Sequence, residues 1–296
     1  MAEQQSGDSA AGFAYAVSAY LLWGFLPLYM KALSVVPPAE VVAHRVLWSV
    51  PVAGAILIVL GRTADVKAAL MSPKMLRMGL LTAALISVNW GIYVWAIGSG
   101  HALDAALGYY INPLFSILLG TVLLRERLTP WQMAAIALAA CAIGLVTWEA
   151  GRLPLVALGL TLTWGFYALL KKSLPIGPNQ GFMLEVLILL PFGVAYAGWL
   201  WWQGEAHFGQ DAQTTWLLAG TGIVTAVPLM LYANGAKLLR LTTIGILQYI
   251  APTMIFLTAV LVFDESFSGT RMAAFALIWT ALAIYSFEML RLSRRG

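Results

Sequence analysis

The sequence predicts an all-α integral membrane protein of ten transmembrane helices, folded as two inverted five-helix repeats. Three observations carry that expectation. Composition is the first: 61% of the 296 residues are hydrophobic and 10% are charged, where soluble domains carry about 25% charged residues. That much apolar surface cannot be hidden in a soluble fold of this size, whereas a bilayer removes the need for a polar exterior. The second is an ungapped repeat. Met133-Ala-Ala-Ile-Ala-Leu138 returns as Met272-Ala-Ala-Phe-Ala-Leu277, and the same shift in numbering pairs Tyr93 with Tyr232, Tyr110 with Tyr249, Pro113 with Pro252 and Glu126 with Glu265. The third is the placement of Lys and Arg, taken up below.

A helix needs about 20 mostly apolar residues to cross the hydrocarbon core. Ten segments qualify: 12–33, 38–60, 75–98, 102–123, 130–148, 153–172, 181–202, 213–236, 242–262 and 270–291. Turn-forming residues separate them, among them Pro37-Pro38, Gly100, Thr129-Pro130, Gly177-Pro178 and Gly209. The longest connections are expected near 61–74 and 203–212, too short for a soluble domain. Met1 to Ala10 is polar and lacks the basic start of a signal peptide, so the first apolar segment is expected to stay in the mature chain. The organisation reads as a tail (1–11), a first repeat (12–148), a second, inverted repeat (149–291) and a short tail (292–296).

Cytoplasmic loops are enriched in Lys and Arg. With the N-terminus inside, thirteen of these residues fall in cytoplasmic segments, Arg62, Lys67, Arg125, Lys171 and Lys237 among them, and only Lys31, Arg152 and Arg271 fall outside. Both termini are therefore expected in the cytoplasm. Five spans per repeat is an odd number, so the second copy must enter the membrane from the opposite side. Such inverted repeats place a substrate site near mid-membrane, between the halves. Trp23-Gly24-Phe25 and Trp164-Gly165-Phe166 match under a nearly equal shift, as do Lys31 and Lys172.

Other functions find no support in the residues. The single Cys141 allows no intramolecular disulfide. The net charge of +4 is spread over short loops, which argues topology and not nucleic-acid binding. Three His and one Cys show no metal-ligand spacing, and no Gly-rich phosphate loop with Lys occurs. No cofactor and no enzymatic chemistry are expected.

Inside the spans, polar residues are costly and face a cavity or a partner. Arg45, about 10 Å into the second span, reads either as an anchor for a substrate carboxylate or as a structural cation paired with Glu40 or reaching the outer interface. Glu185 occupies the matching place in the second half when Pro51 is aligned with Pro191. It reads as a gate or proton-sensitive group, or as a partner of Lys171 or Lys172. Trp23 and Trp164 are mid-span and repeat-matched, and line a pathway or pack a core. Asn89, Trp90 and Tyr93 in the third span join Tyr109, Tyr110 and Asn112 in the fourth as candidate cavity residues, with Gln248 and Tyr249 in the matching place of the second half. Pro113 and Pro252 each free a backbone carbonyl, giving either a hinge or a static kink.

These features together resemble the EamA family of the drug/metabolite transporter superfamily: two five-helix halves, Trp-Gly in the first helix of each, a Pro mid-way along each fourth and a Glu before each fifth. The stretches Pro38-Ala39-Glu40 to Ser49, Ser87-Val88-Asn89-Trp90-Gly91 to Ala96, and Leu107-Gly108-Tyr109-Tyr110-Ile111-Asn112-Pro113-Leu114 resemble the RarD branch. The likeness covers about residues 12 to 291. It implies an exporter in the bacterial inner membrane, working by alternating access on small metabolites. Amino acids, aromatic or other neutral ones, are favoured by relatives of the YddG type. The competing expectation is a multidrug or lipophilic-cation exporter, against which Arg45 argues. The first span also lacks the acid on which proton coupling rests in small multidrug-resistance relatives. The expected partners are a small-molecule substrate and the lipid bilayer, without nucleic acid; a monomer suffices, and a homodimer is compatible.

Overall fold

The computed structural model describes residues 9–124, 129–239 and 241–293, and among them all regular structure is helical. The helices are α1 (Ala10–Ala32), α2 (Pro38–Val59), α3 (Ala64–Leu70), α4 (Pro73–Gly98), α5 (Ala102–Leu124), α6 (Pro130–Ala150), α7 (Leu155–Ser173), α8 (Pro178–Gln203), α9 (Ala212–Leu238), α10 (Leu241–Leu247), α11 (Ile250–Leu261) and α12 (Gly269–Ser293). Among the described residues, seven helices are long and apolar enough to cross a bilayer: α1, α2, α4, α6, α8, α9 and α12; Leu155–Lys171 and Ile250–Leu261 are apolar but shorter.

Local chemistry sets the ends. Ser9 and Ser72 accept from the amides of Gly12 and Met75, at 3.0 and 3.4 Å, satisfying donors that a helix start leaves orphaned. Thr129 and Gln132 form a reciprocal capping box on α6. Asp211 caps α9, accepting from the Thr214 amide at 2.8 Å; that bond holds its carboxyl below the usual carboxylate range. Gly151 and Gly204 end α6 and α8 with φ of 60° and 73°, a backbone conformation that glycine adopts without a Cβ clash.

The 61–74 connection holds a short helix, α3. One expectation is corrected. The ninth segment, expected as one helix over 242–262, is two, interrupted at Gln248 and Tyr249. Pro252 has no N–H to bond the carbonyl four residues back, that of Gln248. The Tyr249 amide closes a tighter turn on the Ile246 carbonyl, at 3.2 Å. Pro113, in the matching place, sits inside an unbroken α5.

The helices of the two sequence halves interleave. α1 packs along α9 and α11, α7 along α4 and α5, α2 along α8 and α9, α8 along α4, α6 along α12, and α5 along α11. Exchanging the halves turns this set of pairs into itself: α1–α9 becomes α7–α4, and α1–α11 becomes α7–α5. The repeat-matched glycines make the crossings possible. A Cβ on Gly24 would overlap the Met254 side chain, and one on Gly165 would overlap Phe115. Met254 and Phe115 are themselves counterparts, related by the same shift that pairs Pro252 with Pro113. Glu265 reaches from the α11–α12 connection to the start of α5, accepting from the amides of Ala102 at 2.6 Å and Leu103 at 2.9 Å. Its counterpart Glu126 lies outside the described residues, as do Arg125, Arg127 and the last three residues.

Candidate functional site

Where the interleaved helices meet, they enclose a cavity of about 120 Å³. α1 gives Tyr20 and Trp23, α2 Arg45, α4 Asn89, Trp90 and Tyr93, α5 Tyr109 and Asn112, α7 Trp164, α9 Thr225, Leu229 and Tyr232, and the interrupted ninth segment Gln248, Ala251 and Pro252. Both halves contribute, and among the described residues no Asp, Glu or Lys is in the lining.

Among the described residues, Arg45 carries the only formal charge in this lining. It is 3% exposed. Its Nε donates to Thr225 Oγ1 at 3.0 Å, and its guanidinium lies over the Trp90 ring, 4.6 Å from the centroid, a favourable cation–π placement. Nη1 is buried without a hydrogen-bond partner. Among the described residues no carboxylate pairs with Arg45. The pairing with Glu40 that the sequence allowed is absent: Glu40 binds His207 instead, at 2.8 Å.

The aromatic wall is continuous. Trp23 and Trp164, matched by the repeat, meet edge-on with centroids 6.3 Å apart. Tyr20 and Tyr232 flank Trp23, each at 5.6 Å. Tyr109 flanks Trp164 at 6.5 Å and leads to Tyr93, 5.9 Å further. Edge-to-face rings at these spacings pack favourably and hold one another in place.

Polar groups in the lining fall into two sets. Asn89 is used up by the fold: its amide donates to the Leu160 carbonyl (3.2 Å) and Thr163 Oγ1 (2.8 Å), and it accepts from Tyr109 (3.3 Å). The Tyr93 hydroxyl and Asn112 Oδ1, like Arg45 Nη1, are buried and lack partners. Native structures leave few such groups, because each unmet one costs about 1–3 kcal/mol. Three of them in one cavity give it unmet donors and an unmet acceptor for a small polar ligand.

Not every candidate lies here. Tyr110 turns away, hydrogen-bonded to Thr253 at 2.7 Å and edge-on to Phe275. Tyr249 packs half-buried against the core around Phe275, and Pro113 is buried in α5 outside the lining. Glu185, 1% exposed, is bound by Lys171 Nζ at 2.6 Å and the Tyr167 hydroxyl at 3.2 Å; it is a satisfied ion pair behind Trp164. Lining residues the sequence did not single out as site candidates are Tyr20, Leu26, Thr225, Leu229, Tyr232, Ala251 and Ile255. Tyr20 was legible, three residues before Trp23 on one helix face. Thr225 was not, since its value depends on a contact 180 residues away in the chain.

The profile of the EamA-like transporter family matches residues 10–148. A transporter of Vibrio cholerae is 42% identical over 289 residues, covering 96% of this chain and 94% of that one. The chain belongs to the EamA-like transporter family. Protein RarD of Escherichia coli K12 is 37% identical over 96% of both chains. A Pseudomonas aeruginosa relative named chloramphenicol-sensitive protein RarD is 32% identical over 97% of both. A crystal structure 20% identical in sequence shares the fold, with a TM-score of 0.63 over 96% of this chain and 99% of that chain. As a family member the protein is a multi-pass membrane transporter with a small-molecule substrate, and not an enzyme.

Proposed function

We propose that the protein exports small carboxylate-bearing metabolites, amino acids foremost, by alternating access around the Arg45 cavity. The observation that carries this reading is a buried guanidinium in the cavity lining that, among the described residues, has no carboxylate partner and a buried, unpartnered Nη1. An uncompensated charge in a membrane core is expensive. A substrate carboxylate supplies the missing partner through the forked donors of Arg. Asn112 Oδ1 offers an acceptor to a substrate ammonium, and Trp23 and Trp164 offer faces to its side chain.

In this reading the ten apolar segments are ten spans in two inverted repeats, 12–148 and 149–291, with both termini cytoplasmic. The exchange symmetry of the helix pairs and the thirteen-to-three distribution of cations support it. Pro113 and Pro252 then stand at the two hinges, and one chain forms the whole pathway.

The competing reading is a drug or lipophilic-cation exporter. Its support is the aromatic wall and the name of the Pseudomonas relative. A cationic substrate would meet Arg45 and no acid in the lining. Efflux from proteoliposomes, run with amino acids, their amides, chloramphenicol and a lipophilic cation, separates the two. Amino acids should leave, and their amides should not. Equal efflux of amide and acid, or transport of the cation alone, sinks the carboxylate reading.

A further inference from the structure

We propose that two repeat-related clasps close the cavity from opposite ends, and that the clasp on Glu40 is the stronger, so the empty transporter opens preferentially at the end that carries Asp65. This rests on the transporter reading above and adds the residues that decide which end opens.

Glu40 lies in the first turn of α2 and is fully buried. It accepts from the amide of His207 at 2.7 Å and of Phe208 at 3.4 Å, and it binds His207 Nδ1 at 2.8 Å. Phe208 stacks on His44, centroids 4.9 Å apart at 20°, and lies 5.9 Å from Trp48. Trp48 Nε1 donates to His44 Nδ1 at 3.3 Å. The connection from α8 to α9 is thus fastened to the very turns of α2 that hold Arg45. The helix that follows it, α9, supplies Thr225 to Arg45. Drawing α9 away from α2 would uncover the guanidinium, and the clasp opposes that movement.

The other half repeats the construction. Gln180 lies in the first turn of α8 and is 3% exposed. Its Nε2 donates to Asp65 Oδ2 at 3.1 Å, in α3 of the α2–α4 connection. Glu40 is the repeat counterpart of Gln180, under the shift that aligns Pro51 with Pro191, and Asp65 falls within two positions of the counterpart of His207. In each half, a side chain at the start of the second long helix grips the loop between the second and third long helices of the other half.

The two grips are unequal. Among the described residues, one is a carboxylate with three donors and an aromatic stack, and the other is a single amide–carboxylate bond. Both accept at a carboxylate, and the difference lies in number and burial: three donors on the fully buried Glu40 against one on Asp65, which is exposed and screened by water. Both clasps are engaged in this structure, so opening costs the breaking of one, and the population follows the weaker. The charge asymmetry puts Asp65 on the cytoplasmic side, which lets the empty protein load from the cytoplasm.

The experiment places a reporter, Ala251→Cys, in the cavity lining of a Cys141→Ser background. A membrane-impermeant maleimide is added to right-side-out and to inside-out vesicles. Labelling should be faster from the cytoplasmic face. Glu40→Gln should raise the rate from the outer face about tenfold, roughly the factor one charge-assisted bond commands, and His207→Ala should raise it in the same direction. Asp65→Ala should raise only the cytoplasmic rate, about two- to threefold, because Asp65 is exposed and water screens its bond. If the outer rate ignores both Glu40→Gln and His207→Ala while the cytoplasmic face still labels, the clasp fails and the transporter reading stands. A rise from the cytoplasmic face in Glu40→Gln overturns the assignment of ends. Labelling from neither face in any variant sinks the cavity as a pathway, and the clasps with it.

Discussion

Arg45 and Glu185 hold the same place in the two halves and meet opposite circumstances. Both are buried charges inside helices. Glu185 has Lys171 and Tyr167 on its two oxygens. Arg45 lines the cavity with a hydroxyl on Nε, a ring beneath it and a buried, unpartnered Nη1. The difference separates a charge whose partners are built in from one that, among the described residues, has none. A buried ion whose partners are built in is part of the scaffold. One whose partner is missing is, in the proposed reading, held ready for a substrate.

The comparison can be broken by moving each charge in turn. Glu185→Gln should have the largest effect, and on stability: it leaves the Lys171 ammonium, 20% exposed, facing a neutral amide, and breaking a largely buried pair costs up to about 3–5 kcal/mol. The thermal midpoint in detergent should fall clearly, and an unchanged midpoint would make Glu185 something other than scaffold. Arg45→Ala should do the reverse. Removing an uncompensated charge should leave the midpoint unchanged or higher, while efflux falls by one to two orders of magnitude, as loss of a charge-assisted contact of about 1.5–3 kcal/mol requires. A variant that unfolds would return Arg45 to the scaffold. Thr225→Val sharpens the point at smaller scale. It removes the bond that aims the guanidinium, so efflux should drop about two- to tenfold, through about 0.5–1.5 kcal/mol, with KM rising and stability held. The smallest effect is expected at Glu265→Gln, which weakens the cap on α5 by about 1 kcal/mol or less and should lower the midpoint slightly without touching KM.

The helical fold and most element positions were legible because hydropathy and the repeat act over whole segments. Position-specific choices were legible only where chemistry was local. Trp23 and Trp164 stood out through the repeat, and both line the cavity. The glycines beside them carried a signal whose meaning was hidden. Gly24 is small to admit Met254 of the other half, and Gly165 to admit Phe115; each of those side chains lies far along the sequence. Glu40 read as a possible partner of Arg45 because only local neighbours could be weighed, and His207 is 167 residues away. Pro252 announced a disturbance in the ninth segment, but the matching Pro113 leaves α5 unbroken, so the residue alone did not decide between bend and break.

The interleaving has a consequence for how the chain is made. α1, α2, α5 and α6 each lie mainly against helices that are synthesised later. When the first half has left the ribosome, its crossing faces, Gly24 among them, have no neighbours yet. The early helices must wait in the membrane as separable rods until the later ones thread between them. Assembly is therefore completed near the end of translation, and a chain cut between residues 148 and 153 is a pair of interlocking pieces, neither with a finished interior of its own.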